Sequence, residues 1–216
     1  MALILSIESA TSICSVALHR DGEMLLLSEY DQENAHARQL MLLIEGIFKE
    51  LGMKPADLAA VAVSSGPGSY TGLRIGVSVA KGLAFAFGLP LVAVDTLEGL
   101  ASQAFFLCGE KDFVIPLLDA RRMEVFTAVY QHDLTAAMAP QAMILDDHSF
   151  HELLEKHPIL FTGSGSEKLN ELLLSPDNRI QGKIEIDPTK LIYRYSYVDL
   201  RAAAKTSKGL EQPLSN

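Results

Sequence analysis

The segment Ser64–Ala84, SSGPGSYTGLRIGVSVAKGLA, constrains this chain more than any other stretch. An apolar run at Leu58–Val63 reads as a strand and leads into Gly66-Pro67-Gly68, with a helix expected over Gly72–Phe87. Glycine lacks a Cβ and tolerates positive φ, so two glycines around a proline allow a sharp bend and a close backbone approach. In the helix, Gly72, Gly76, Ala80, Ala84 and Gly88 recur at every fourth position and form a row of small side chains. Leu73, Val77 and Leu83 mark a second face and Ile75, Val79 and Ala86 a third; Arg74, Ser78 and Lys81 interrupt the apolar surface. A helix apolar on nearly all sides must be covered on nearly all sides. A row of small residues also admits another helix at short range. The pattern predicts burial against the chain's own sheet on one side and a partner on the other. A glycine turn into an ordinary core helix fits the same spacing. A P-loop does not, because no Lys-Ser or Lys-Thr pair follows the second glycine, and Gly66, Gly68 and Gly72 miss the dinucleotide spacing.

Composition narrows the class. Hydrophobic residues make up 49% of the 216, enough for one large or two small domains with a real core. A net charge of −9 argues against independent nucleic-acid binding, since phosphate contacts need a basic surface. Cys14 and Cys108 are too few for a disulfide framework, and a reducing cytosol is the expected setting. No basic leader precedes Glu8, and the apolar stretch Gly82–Val94 is broken by Gly88 and Pro90 and is too short to span a bilayer. The expectation is a cytoplasmic chain with no membrane partner.

Leu3–Ile7 reads as a strand, and Ile13–Leu18 and Met24–Tyr30 flank Asp21-Gly22, a hairpin signal. His36–Leu51 is expected as a helix, with Leu40, Leu43, Ile44, Ile47 and Leu51 on its buried face. Strand Leu58–Val63, the glycine helix, strand Pro90–Val94 and a helix from Thr96 to Phe106 complete a first half, with a boundary near Glu110. The halves are thus 1–110 and 111–216. The second opens as the first does. Val114–Leu118, a turn and Glu124–Tyr130 mirror Leu3–Ile7, a turn and Ile13–Leu18, with Asp119 answering Glu8 after the first strand. A helix at Ser149–Lys156, strand Ile159–Phe161 into Gly163-Ser164-Gly165, helix Glu167–Leu174, strand Lys183–Ile186 and a last helix near Leu191–Ala204 follow. That last helix is expected to pack back on the first half.

The segment GPGSYTGLRIGVSVAKGLA, with LDARRMEVFTAVY at Leu118–Tyr130, closely resembles the bacterial TsaB family, also called YeaZ. Its members are non-catalytic paralogues of TsaD within the acetate-sugar kinase/Hsp70/actin superfamily. The resemblance implies an actin-like α/β fold, ribonuclease H-like in its halves, built as two related subdomains. It also implies a supporting role in making N6-threonylcarbamoyladenosine (t6A) in tRNA, where TsaD performs the transfer and TsaE is an ATPase. The implied partners are TsaD in a heterodimer, TsaE in a larger complex, a second copy when TsaD is absent, and tRNA only indirectly. Contacts with TsaD are expected in a four-helix packing from His36, Leu40, Leu43 and Ile47 on one helix and Tyr70, Leu73, Arg74, Gly76, Val77, Ala80 and Lys81 on the next.

No catalytic residue is expected. In TsaD-type enzymes a helix after the glycine segment carries a pair of metal-binding histidines. Here Val94–Leu100 reads VDTLEGL, with Thr96 and Leu100 in their places, and neither side chain supplies an imidazole nitrogen. Asp146, Asp147, His148 and His151 match no standard metal spacing and read as a solvated helix start. No intrinsic cofactor is expected; an adenine nucleotide at the complex interface is an open alternative, and Gly163-Ser164-Gly165 reads equally as a plain β–α turn. The nucleotide's candidate contacts are Glu8, Ser9, Gly66, Gly68, Asp119, Gly163 and Gly165. Family members usually carry Asp where this chain has Glu8, which weakens the case for hydrolysis of a magnesium nucleotide. The competing reading is a small actin-fold ATP-binding or kinase-like enzyme, supported by Glu8, Asp119 and the two glycine loops.

Overall fold

A computed structural model describes residues 2–31, 36–105 and 112–173. The expected strand at 183–186, the helix at 191–204, Cys108 and the boundary at Glu110 lie outside the described residues. One compact unit runs to Gly99 and a second begins at Leu100, ahead of the boundary expected from the sequence.

The first unit is a five-stranded sheet in the order β3-β2-β1-β4-β5. Its strands are β1 (Leu3–Glu8), β2 (Ile13–Arg20), β3 (Glu23–Asp31), β4 (Ala60–Gly66) and β5 (Leu91–Asp95). The Asp21-Gly22 turn, with φ of 50° and 89°, closes β2 onto β3 in antiparallel pairing, as its residue types favour. By contrast, β1, β4 and β5 pair in parallel, β1 reaching β4 by way of β2, β3 and a helix, and β4 reaching β5 through a helix. Alternation along the strands sends Leu5, Ile7, Val16, Leu18, Val61 and Val63 into one core. Helices α1 (His36–Leu51) and α2 (Tyr70–Phe87) supply Leu40, Ile44, Ile47 and Ala80 to that same core. The Ser69 hydroxyl accepts from the Gly72 N–H at the start of α2, and Gly88 ends the helix at a left-handed φ of 62°. Helix α3 (Thr96–Ala104) follows β5.

The second unit repeats the pattern in four strands, ordered β8-β7-β6-β9. These are β6 (Phe113–Asp119), β7 (Glu124–Tyr130), β8 (Ala136–Ile144) and β9 (Ile159–Thr162), with short helix α4 (His151–Leu154) before β9 and α5 (Ser166–Leu173) after it. As β1 does, β6 pairs antiparallel with the next strand and parallel with the strand that leads to a glycine turn. Ile115, Leu117, Val125, Val129, Phe161 and Leu169 form its core. The shared strand order is the actin-like α/β arrangement of two related halves. Among the described residues, no helix is long and apolar enough to cross a membrane.

Candidate functional site

Glu8 ends β1 and is buried. Its Oε1 accepts from the Ala10 N–H at 2.5 Å, and the Ser64 hydroxyl of the neighbouring strand donates to Oε2. The next residue, Ser9, begins a turn that presses into α2. A Cβ on Gly72 would lie 2.0 Å from the Ser9 carbonyl oxygen, and one on Gly76 would lie 2.1 Å from the Ser9 hydroxyl. Gly68, at φ 153°, leaves room for Ala10, whose carbonyl accepts from the Ser69 N–H at 2.6 Å. Gly66 has φ 118°, a conformation that side-chain-bearing residues rarely adopt. The glycine segment is therefore shaped by the chain's own β1–β2 turn. Ser9 Oγ is buried with no hydrogen-bond partner among the described residues. Close by, burial and then the Glu8 charge push the Cys14 thiol up to about 11, which leaves it protonated and unreactive at neutral pH.

Asp119 ends β6 in the corresponding place, but in the open. The Lys168 ammonium lies 2.7 Å from its Oδ1 and also donates to the Glu124 carbonyl. The Arg121 N–H donates to the same carboxylate at 2.6 Å, and the Asp119 N–H donates to the Ser164 hydroxyl at 3.1 Å. Partial burial pushes the Asp119 pKa up, but the Lys168 bond, the Arg121 N–H and the lysine charge together hold it below the ordinary value. Gly163, at φ 97°, and Gly165 let the β9–α5 turn press onto Leu117. A Cβ on Gly163 would lie 2.4 Å from the Leu117 carbonyl oxygen, and one on Gly165 would lie 2.9 Å from Val125. Glu8, Ser9 and Gly68 thus gather in one unit, and Asp119, Gly163 and Gly165 in the other. Both carboxylates are engaged by the chain's own donors, and at Gly68, Gly72 and Gly163 a neighbouring backbone carbonyl takes the space of a side chain.

The helix faces require corrections. Leu40 and Ile47 of α1, and Gly76 and Ala80 of α2, were expected at a partner surface but are buried in the chain's own unit. The sheet explains this, because its apolar face takes up those sides of both helices. Leu43, Leu73 and Val77 are half-buried, and Leu43 and Val77 pack against the same core. His36 begins α1, and its side chain lies outside those described. Three of the expected residues do face outward on α2: Tyr70, Arg74 and Lys81. Tyr70 is 68% exposed, with the Arg74 guanidinium 3.9 Å over its ring, a cation–π contact. In line with them stands Phe85, 83% exposed, and Phe87, Met41 and Leu42 are exposed as well. Sequence reasoning missed these four. The signal was present for Phe85, which lies seven positions past Ser78 on the stripe that Arg74, Ser78 and Lys81 mark.

Thr96 and Leu100 of α3 are buried. Asp95 caps this helix, its Oδ1 accepting from the Leu97 and Glu98 N–H groups at 2.8 and 3.0 Å. Asp146 closes the turn ahead of α4, accepting from the His148 N–H and the Ser149 hydroxyl. Among the described residues no group of His, Cys, Asp and Glu is arranged to hold a metal ion.

Comparison with known proteins places this geometry. The family model of TsaD, tRNA N6-adenosine threonylcarbamoyltransferase, matches residues 30–181. The tRNA threonylcarbamoyladenosine biosynthesis protein TsaB of Bacillus subtilis is 34% identical over 163 residues, 74% of this chain and 70% of that protein. Its Escherichia coli namesake is 38% identical over 130 residues, 60% of this chain and 55% of that one. YeaZ from Pseudomonas aeruginosa superposes with a TM-score of 0.69 at 25% identity, covering 95% of this chain and 91% of that structure.

Proposed function

The chain belongs to the TsaB (YeaZ) family, and from that premise we propose that it is a non-catalytic assembly subunit in bacterial t6A synthesis on tRNA. It dimerises with TsaD through the outward face of α1 and α2, and TsaE joins the larger complex. Its place is the cytoplasm. The observation that carries this reading is the α2 stripe of Tyr70, Arg74 and Phe85, large side chains open to solvent on the face opposite the buried row Gly72, Gly76, Ala80 and Ala84. Aromatic and arginine side chains are the usual anchors of protein interfaces. The same face serves a second copy when TsaD is absent. Holding TsaD in its active arrangement is a population shift, effective because the chain binds the active form more tightly.

The non-catalytic part rests on the acids. Glu8 is buried and bonded to Ser64 and Ala10, Asp119 is paired with Lys168, and Thr96 and Leu100 offer no imidazole nitrogen. Any adenine nucleotide belongs to the interface with the partners. The test is reconstitution. TsaD, the activated threonylcarbamoyl adenylate and tRNA are combined with and without this chain, and t6A is read by nucleoside mass spectrometry. The expected result is t6A that depends on both proteins, with none from this chain alone. ATP turnover by the pure chain would favour the actin-fold ATPase instead, and failure to bind TsaD would remove the assembly role.

A further inference from the structure

The turn between β6 and β7 contains two consecutive non-glycine residues in the left-handed region, Arg121 at φ 78° and Arg122 at φ 49°. Glycine or asparagine holds that conformation at lower cost, so arginine is a choice made against the backbone. The backbone is pinned from both strands. The Arg121 N–H donates to Asp119 Oδ1, the Glu124 N–H donates to the Arg121 carbonyl at 3.0 Å, and the Ala120 N–H donates to the Glu124 carbonyl at 3.1 Å. Neither guanidinium takes part in this pinning. Both side chains are exposed, and neither has an ion pair or hydrogen bond among the described residues. Asp119 is already occupied by Lys168. Acids stand nearby, Asp119 paired with Lys168 and Asp146 one residue past the Leu145 N–H that bonds the Met123 carbonyl, but neither arginine pairs with one, so both guanidinium groups are open to a ligand in a chain of net charge −9.

We propose that this turn is an RNA-backbone contact, in which Arg121 and Arg122 hold phosphodiester oxygens of tRNA while the chain sits in its complex. The inference rests on the function read above, which is what brings tRNA near. A guanidinium matches phosphate oxygens in fixed fork geometry. A subunit of net charge −9 otherwise repels the RNA beside which it is held, and a pair of exposed, unpaired cations on a pinned backbone offsets that repulsion locally. The contact positions RNA without reading its sequence.

The test uses the complex with TsaD and measures its affinity for labelled tRNA across a salt series. The Arg121→Asn/Arg122→Asn variant removes both charges and suits the left-handed backbone, so the melting temperature and the affinity for TsaD should hold. The logarithmic salt slope should fall by about 1.4 to 1.8, the loss of two phosphate contacts. The double lysine variant should restore most of the slope, because a point charge still releases counterions. An unchanged slope overturns the proposal. So does lost affinity for TsaD at constant slope, which makes the turn a protein contact, or weakened binding of free ADP at constant slope, which makes it a nucleotide site. A wild-type complex that shows the arginine-dependent slope yet makes no t6A sinks the functional reading and leaves the contact. The reverse pair of results keeps the function and removes the contact.

Discussion

Ser9 decides why Gly76 has no side chain. Its hydroxyl occupies the space that a methyl group would need, and its carbonyl does the same at Gly72. Ser9 cannot easily withdraw, since the residues on either side are tied down, Glu8 through Ser64 and Ala10 through Ser69. Gly76→Ala should therefore overpack the isolated chain, at about 1–3 kcal/mol. At roughly 2–4 °C per kcal/mol for a chain of this size, the loss is readable in a melting curve. Gly82 lies in the same helix with nothing within 4 Å of its would-be Cβ. Alanine there should raise stability by about 0.5–1 kcal/mol, the ordinary gain on replacing an exposed helical glycine. Equal effects at both positions would mean that Ser9 is not what Gly76 accommodates. The row of small residues was legible in the sequence; its occupant was not. Spacing identifies a face of the helix, whereas the neighbour across it is a turn in a distant part of the chain. Leu40 and Ile47 do lie on the buried face of α1 that the sequence marks, but it is the chain's own sheet that covers them, because a buried stripe looks alike whether a sheet or a partner covers it.

At the level of elements, cap and turn chemistry carried most of the fold. The bounds of α1 and the Asp21-Gly22 hairpin were readable from local signals. Strand β8 was not. Its residues AAMAPQAMI lie mostly open, so no alternation marks a buried face, and Pro140 reads as a breaker. At the edge of a sheet such a proline is tolerated, because one side of the strand has no ladder to complete. Helix α3 offers a sharper test. Burial pushes the Asp95 pKa up, and the bonds from the Glu98 and Leu97 N–H groups recover only part of the shift. A carboxyl raised in the folded state binds its proton more tightly there. Its contribution to stability is full below the unfolded value near pH ~3.9 and declines as pH rises through the folded value. Asp95→Asn keeps an acceptor for the cap and loses the buried charge. It should match or exceed the wild type at pH 7 by denaturant titration, with the advantage vanishing near pH 3. Asp95→Ala gives up the cap and should cost about 0.5–2 kcal/mol at pH 7. Equal losses at pH 7 for the two variants would show that the charge itself, and not the acceptor, stabilises α3.

For the whole molecule, the question is what the open stripe of α2 does. Stability of the isolated chain gives no reason for Phe85 to be phenylalanine, since 83% of it faces solvent. A phenylalanine buried on binding removes on the order of 150–250 Å² from water, and at about 25 cal/mol per Å² this favours association by several kcal/mol before ordering costs. Phe85→Ala should then leave the melting temperature of the isolated chain within error. It should weaken TsaD binding by about 30-fold or more, the scale of a central interface anchor at 2 kcal/mol. Tyr70→Ala tests the other end of the stripe, where loss of the ring also frees the Arg74 guanidinium. If both ends lie under one partner helix, the two substitutions should combine additively, because they are far enough apart along α2 to act independently. Calorimetric titration of TsaD into each variant separates the outcomes. Weakened binding with an intact fold places the partner on this face. Unchanged binding for both variants moves the interface elsewhere and leaves the exposed aromatics for self-association, which the concentration dependence of sedimentation would then report.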